Sequence, residues 1–303
     1  MLFLDFDEAW RVYLGAGRRL PPVPPPPEKG TRRVSGLLEV ADDFDLIVLD
    51  AYGVLHEGAG AHDFALEAFS ALRERGQKVC VLTNSVTHAP EEVAKRLTAM
   101  GFPIGEREVI SGRSLLPWFL RFHKGGQGYA VLGYHPDAVV EAFPGTRVGS
   151  FDPADLDSAT GFILVDTNMW ADGTPEELLF ESLTANPRPL IVCNPDVTCP
   201  YQGALSYEPG FFAFRLAEAL PKLDITFLGK PYPAIYDLVT KRFKGIPRDR
   251  ILAVGDSPHT DVLGAQGAGM KALLVESGLL RTQVSGQRLT ECGIEPDFIA
   301  ETI

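Results

Sequence analysis

Four short apolar runs in this 303-residue chain each lead into polar residues with chemistry to offer. "LIVLD" delivers Asp50, "VCVLTNS" delivers Thr83, Asn84 and Ser85, "ITFLGK" delivers Lys230, and "AVGDSPHTD" delivers Asp256 and Asp261. Singly these are weak signals, because an aspartate after a strand commonly caps a helix or closes a turn. As an ordered set they point to phosphorus chemistry. A carboxylate such as Asp50 can attack phosphorus and hold it as an acyl phosphate, dividing one hard step into two. A carboxylate facing a dianionic phosphate needs a cation between them. Asp50, Asp256 and Asp261 offer the oxygen ligands that Mg²⁺ prefers. Lys230 adds a fixed positive charge, and the Thr83 hydroxyl with nearby backbone N–H groups can hold the phosphate oxygens.

These residues need a sheet to bring them together, and the chain around them alternates strand and helix. Leu46–Leu49 and "VCVL" (79–82) read as buried strands. "HDFALEAFSALRERG" places Ala65, Phe69 and Leu72 on one helical face and stops at Gly76. "EEVAKRLTAMG" does the same with Val93, Leu97 and Met100 and stops at Gly101. The pattern resumes with "ITFL" (225–228), a helix over "PAIYDLVTKRFKG" with Ile235, Leu238 and Val239 inward, "ILAV" (251–254), a helix from Thr260, "ALLV" (272–275) and "FIA" (298–300). Such alternation implies parallel strands with right-handed crossovers, whose carboxyl ends converge on one crevice. Between the halves lie "YAVLGY" (129–134), "GFILVD" (161–166) and "PLIVCN" (189–194), too much structure for a loop. The fold expected is α/β, a Rossmann-like doubly wound core with an inserted α/β domain. Its parts are an N-terminal helix and Pro-rich connector (1–36), core (37–107), insertion (108–222) and core again (223–303). "PPVPPPP" (21–27) reads as an extended, stiff connector.

Composition narrows the partners. A net charge of −12 argues against nucleic acid and anionic membrane surfaces. No apolar stretch approaches the roughly 20 residues of a membrane helix. The start, "MLFLDFDEAWR", lacks the basic opening of a signal peptide, so a cytoplasmic chain is expected. Cys80, Cys193, Cys199 and Cys292 have neither CxxC spacing nor paired histidines, which argues for reduced thiols. His62, His88, His123, His135 and His259 show no metal spacing, and His259 reads as an exposed loop residue. "GAGMKA" (267–272) fits a dinucleotide fingerprint but follows a helix and opens a strand, the reverse of what that fingerprint requires.

The order "DAYGV", "LTNS", "GKP", "GDSPHTD" resembles the four motifs of the haloacid dehalogenase-like superfamily, over about Leu37 to Val275. The insertion resembles the α/β cap of its class IIA branch, which contains nitrophenylphosphatase-like and phosphoglycolate phosphatases. "CNPD" (193–196) and "EPGFFAF" (208–214) resemble that cap's substrate loop and following helix. The resemblance implies a Mg²⁺-dependent phosphatase with Asp50 as nucleophile, and Thr83, Asn84, Ser85 and Lys230 on the phosphate. Asp50, the Tyr52 backbone carbonyl, Asp256 and Asp261 would hold the metal, and Asn194, Asp196 and Tyr201 would choose the substrate. Related caps often pair, so a homodimer is expected. A signalling receiver domain also uses an aspartyl phosphate with Thr and Lys, but the cap and the chain length argue against it.

Tyr52 departs from that pattern. The family's usual aspartate there protonates the leaving oxygen and then activates water. A phenol, with an ordinary pKa near 10, can donate a proton but makes a poor base. Losing general acid–base help costs roughly 10²- to 10⁴-fold. Two readings follow: a weak phosphatase acting on a small metabolite such as a sugar phosphate, or a suppressed relative that binds a phosphorylated metabolite as a sensor. His56 and Glu57 are the candidates to replace the missing carboxylate.

Overall fold

All four residues of the strand Leu46–Leu49 are buried, as an uninterrupted apolar run inside a parallel sheet requires. The structure is a computed structural model describing residues 3–123, 126–133, 136–167, 170 and 173–303. Tyr134, at the end of an expected strand, and His135 lie outside the described residues. The strand Leu46–Leu49 sits inside a seven-stranded sheet, entirely parallel. In order across the sheet the strands are Arg32–Arg33, Phe298–Ala300, Lys271–Val275, Ile251–Gly255, Leu46–Leu49, Val79–Thr83 and Val109–Ser111. Successive side chains of one strand serve opposite faces. Leu46 and Val48 pack with Ile235, Val239 and Leu263, whereas Ile47 and Leu49 pack with Phe69, Leu72 and Leu97. Helices therefore cover both faces, which makes the core doubly wound.

The helix Asp63–Glu74 buries Ala65, Phe69 and Leu72. Pro90–Ala99 buries Val93 and Leu97, with Met100 half-buried beyond its end. Pro233–Arg242 buries Ile235, Tyr236 and Val239, while Leu238, expected inward, is only half-buried. The "GAGMKA" stretch links the helix Leu263–Gly267 to the strand Lys271–Val275, as a turn and not a dinucleotide site.

A second, five-stranded parallel sheet runs Ile225–Phe227, Leu190–Val192, Gly161–Leu164, Tyr129–Leu132 and Arg147–Val148. Two expected boundaries are corrected here. Val109–Ser111, expected to open the insertion, pairs with Val79–Thr83 in the core sheet. Ile225–Phe227, expected to resume the core, pairs with Leu190–Val192 in the cap sheet. The inserted sheet thus begins after residue 111 and closes with residue 227. The N-terminal helix Phe6–Gly15 is started by Asp5, whose side chain accepts from the Asp7 and Glu8 N–H groups. It is not a peripheral appendage: Ala9, Trp10 and Tyr13 are buried between core and cap.

Candidate active site

Leu46–Leu49 and Ile251–Gly255 are neighbours in the sheet although two hundred residues of chain separate them. From the first, the chain crosses to Val79–Thr83 on one side; from the second, to Lys271–Val275 on the other. This is the topological switch point, where open α/β sheets form their ligand crevice. Asp50 and Asp256 are the residues that immediately follow these two strands. Asp261 arrives from the next turn, a wide one in which Val262 N–H donates to Ser257 C=O.

Asp50 Oδ1 accepts from the Ala51 N–H (2.7 Å) and pairs with Lys230 Nζ (2.6 Å). Lys230 also donates to Asp261 Oδ1 (2.7 Å). Asp256 Oδ2 accepts from the Leu279 N–H (2.8 Å), and Asp261 Oδ2 from the Ser257 N–H (3.2 Å). One ligand oxygen from each of Asp50, Asp256 and Asp261 lies within 4.8 Å of the others. Gly53 is required beside them: its φ is +78°, and a Cβ there would collide with the Asp256 carboxylate. A Cβ at Gly278 would collide with the same carboxylate.

Charge here is held under strong constraint. Burial raises the Asp50 pKa, against the attraction of Lys230. Burial, then repulsion from Asp50 and Asp261, pushes Asp256 well above the usual carboxylate range. Burial likewise lifts Asp261 to about 6. Burial works against the Lys230 ammonium, but Asp261, Asp50 and Asp196 overcome it and hold its pKa well above normal. Of the three crowded carboxylates Asp50, Asp256 and Asp261, only Asp50 and Asp261 pair with the lysine, leaving an excess of oxygen donors and negative charge that fits a hard divalent cation.

Thr83, Ser85 and Asn84 face the same cavity of about 270 Å³ as Asp50 and Asp256. The Ser85 N–H donates to Thr83 Oγ1 (3.1 Å). The Asn84 side chain is engaged within the protein. Its Oδ1 accepts from the Lys230 N–H (2.8 Å), and its Nδ2 donates to Lys230 C=O (3.0 Å) and Asp196 Oδ1 (2.9 Å). The side chain is a bracket for the lysine and the cap loop, so any phosphate contact falls to its backbone N–H. From the cap, Asn194, Asp196 and Tyr201 line the cavity. Burial lifts Asp196 to about 6.

Tyr52 also lines the cavity, its ring 4.4 Å from that of His56. Burial, then the nearby Cys199 and Glu208, raises the phenol's pKa, so the hydroxyl stays protonated at neutral pH. His56 is buried, lies 3.0 Å from Gly58 C=O through Nδ1, and is pushed by burial down to about 4. Glu57 is committed elsewhere, to Arg281 (2.8 Å) and the Gly203 N–H (2.7 Å). Neither residue lines the cavity. His259, expected in an exposed loop, is buried against Trp10 and Tyr13.

Among the lining residues that sequence reasoning did not assign to the site are His88, Arg96, Asp166 and Glu208. Asp166 ends the run "GFILVD", so the strand-end logic applied to Asp50 would have found it. Glu208 accepts from Asn194 Nδ2 (2.9 Å) and Ser206 Oγ (2.6 Å), and burial, reinforced by Asp166, pushes it up to about 8. A carboxyl raised in the folded state favours folding fully below its unfolded pKa, near 4.3. That contribution is lost as pH rises through the folded value of about 8. Glu208→Gln should therefore gain thermal stability relative to wild type between about pH 5 and about pH 9, by roughly 2–4 °C for each kcal/mol of the decline it removes. Melting curves across that range measure this, and parallel profiles for the two proteins would contradict it.

Comparison with known proteins fits this geometry. Residues 47–143 match the family model described as haloacid dehalogenase-like hydrolase, and residues 227–303 match a second, HAD-hydrolase-like model. The chain belongs to the haloacid dehalogenase-like hydrolases. It is 23% identical over 294 residues to phosphoglycolate phosphatase 1A, chloroplastic, of Arabidopsis thaliana (92% of this chain, 80% of that one). It is 25% identical over 287 residues to the glycerol-3-phosphate phosphatase of Mus musculus (86% of this chain, 89% of that one). The crystal structure of a possible sugar phosphatase of this superfamily from Cytophaga hutchinsonii superimposes with a TM-score of 0.76 at 24% identity, covering 90% of this chain and 98% of the other.

Proposed function

We propose that the protein is a Mg²⁺-dependent phosphatase acting on small phosphate monoesters, such as sugar phosphates, through an aspartyl phosphate on Asp50, and that Tyr52 makes it slow. The observation that carries this reading is the convergence of Asp50, Lys230, Asp256 and Asp261 at the switch point, beside a cavity whose other wall is the cap loop. The phosphatase relatives support it. Asp50 attacks phosphorus and the ester oxygen departs with the bonding pair, taking a proton. Water then attacks the acyl phosphate, releasing orthophosphate and restoring the carboxylate. Lys230 and the backbone N–H groups after Thr83 stabilise charge on the transferring group. Asp50, Asp256, Asp261 and the Tyr52 carbonyl would hold Mg²⁺, which supplies neutralisation of the phosphate's charge. Asn194, Asp196 and Tyr201 contact the leaving group. Four free cysteines suit a reducing compartment, so we place the protein in the cytoplasm, and as a homodimer by analogy with related caps.

Tyr52 gives this reading its signature. A phenol that stays protonated donates a hydrogen bond but does not activate water. An aryl phosphate, whose leaving oxygen is stable, should turn over tolerably, and an alkyl phosphate more slowly by roughly 10²-fold or more. Hydrolysis of the acyl phosphate then limits the rate, so leaving-group release should show a burst on the aryl ester. Tyr52→Asp should raise alkyl turnover. A metabolite screen for phosphate release with Mg²⁺, with and without EDTA and with Asp50→Asn as blank, tests the function. Burst-free hydrolysis of both ester types at equal rates would mean that another group supplies acid and base. The neutral Tyr52 also favours a second reading, a suppressed relative acting as a metabolite sensor; ligand binding without release would select it.

A further inference from the structure

We propose that Tyr13, on the N-terminal helix outside both family matches, is a positioning residue that latches the cap's substrate loop to the core's metal loop. Tyr13 is 2% exposed and lies where the two loops meet. Its hydroxyl accepts from the Val197 N–H (3.1 Å), one residue after Asp196 in the cap loop. The Tyr13 ring stacks on His259 at 4.4 Å with an interplanar angle of 5°, within the turn that delivers Asp261. One phenol thus touches the segment carrying Asp196 and the segment carrying Asp256 and Asp261.

The helix bearing Tyr13 is fixed to both bodies. On the core side, Trp10 packs edge-on against His259 (4.7 Å) and donates through Nε1 to Glu291 (2.9 Å). Arg288 pairs with Asp7 (2.7 Å) and lies over the Phe6 ring (4.8 Å). On the cap side, Leu4 N–H donates to Leu205 C=O (2.8 Å), and Ala9, Tyr13 and Ala16 share the apolar cluster of Phe211 and Leu216. Two further ties, Asn84 to Asp196 and Glu57 to the Gly203 N–H, hold the same cap segment from the core itself. The cap loop cannot withdraw from the cavity unless Tyr13 leaves Val197 or unstacks from His259. The helix therefore sets how readily the cavity opens and how accurately Asp196 is placed.

Hydrogen exchange of the full chain, followed by mass spectrometry, tests this without requiring turnover. Tyr13→Phe keeps the ring and removes the hydroxyl; Tyr13→Ala removes both. Loss of one hydrogen bond should speed exchange at 194–201 roughly three- to tenfold in Tyr13→Phe. Tyr13→Ala should extend the effect to 256–261. The buried core strand 271–275 should keep its wild-type rate in Tyr13→Phe. Unchanged exchange at 194–201 in both variants, or acceleration that includes 271–275 equally, would overturn the latch. A kinetic arm rests on the phosphatase reading: with an aryl phosphate, KM should rise while kcat stays within about twofold, since Tyr13 does not line the cavity and acts through the cap loop. A fall in kcat with KM fixed would contradict positioning. If no substrate is found, that failure belongs to the phosphatase reading, and the exchange result decides the latch alone.

Discussion

Asp50→Asn should lower phosphate release by about 10⁴-fold or more and leave the fold intact. The size follows from the role. An amide cannot form the acyl phosphate, and removing a nucleophile removes the route, not one interaction along it. Intactness follows from the surroundings. An asparagine oxygen can still accept from the Ala51 N–H and from Lys230, and Lys230 keeps Asp261. Repulsion from Asp50 is also one of the causes that raise Asp256, so neutralising it relieves a crowded site. Steady-state assays and melting curves measure both halves. Activity above a tenth of wild type in clean protein removes Asp50 from the nucleophile's role.

Lys230→Met has the next largest effect, and it strikes stability as well as rate. Lys230 is 2% exposed and bridges Asp50 and Asp261. A methionine of similar reach leaves three buried carboxylates with no ammonium between them. Breaking a buried ion pair from one side costs about 3–5 kcal/mol, so the melting temperature measured in EDTA should fall by roughly 6–20 °C. Mg²⁺ should restore part of that stability by supplying positive charge to the same carboxylates. It should not restore turnover, because the charge Lys230 offers the transferring phosphate is gone. Wild-type stability in EDTA would show that the lysine's pairing contributes little. Wild-type turnover would show that it does not serve the reaction.

Much of the site was legible because its residues sit where apolar runs stop. Asp50, Thr83 and Asp256 each close or follow a buried strand, and a parallel sheet brings such ends together. What was not legible was the sheet to which a short strand belongs. "VIS" at 109–111 and "ITF" at 225–227 are alike in length and polarity, and only their partners assign one to the core and the other to the cap. Lys230 follows a strand of the other sheet and still reaches Asp50 and Asp261. His259 was misjudged because the rings that bury it, Trp10 and Tyr13, lie at the opposite end of the sequence. No local pattern reveals that the Asn84 side chain is engaged by the Lys230 backbone and Asp196.

Phosphorus should become bonded to the Asp50 carboxylate during turnover. Acid quenching during turnover of an aryl phosphate preserves an acyl phosphate, and borohydride then reduces that carboxyl to an alcohol. Peptide mass spectrometry locates the change. Reduction at residue 50 should depend on substrate and Mg²⁺ and should exceed that in Tyr52→Asp, where water attack is assisted. Turnover with no reduction at residue 50, or with reduction at Asp196 instead, would contradict it.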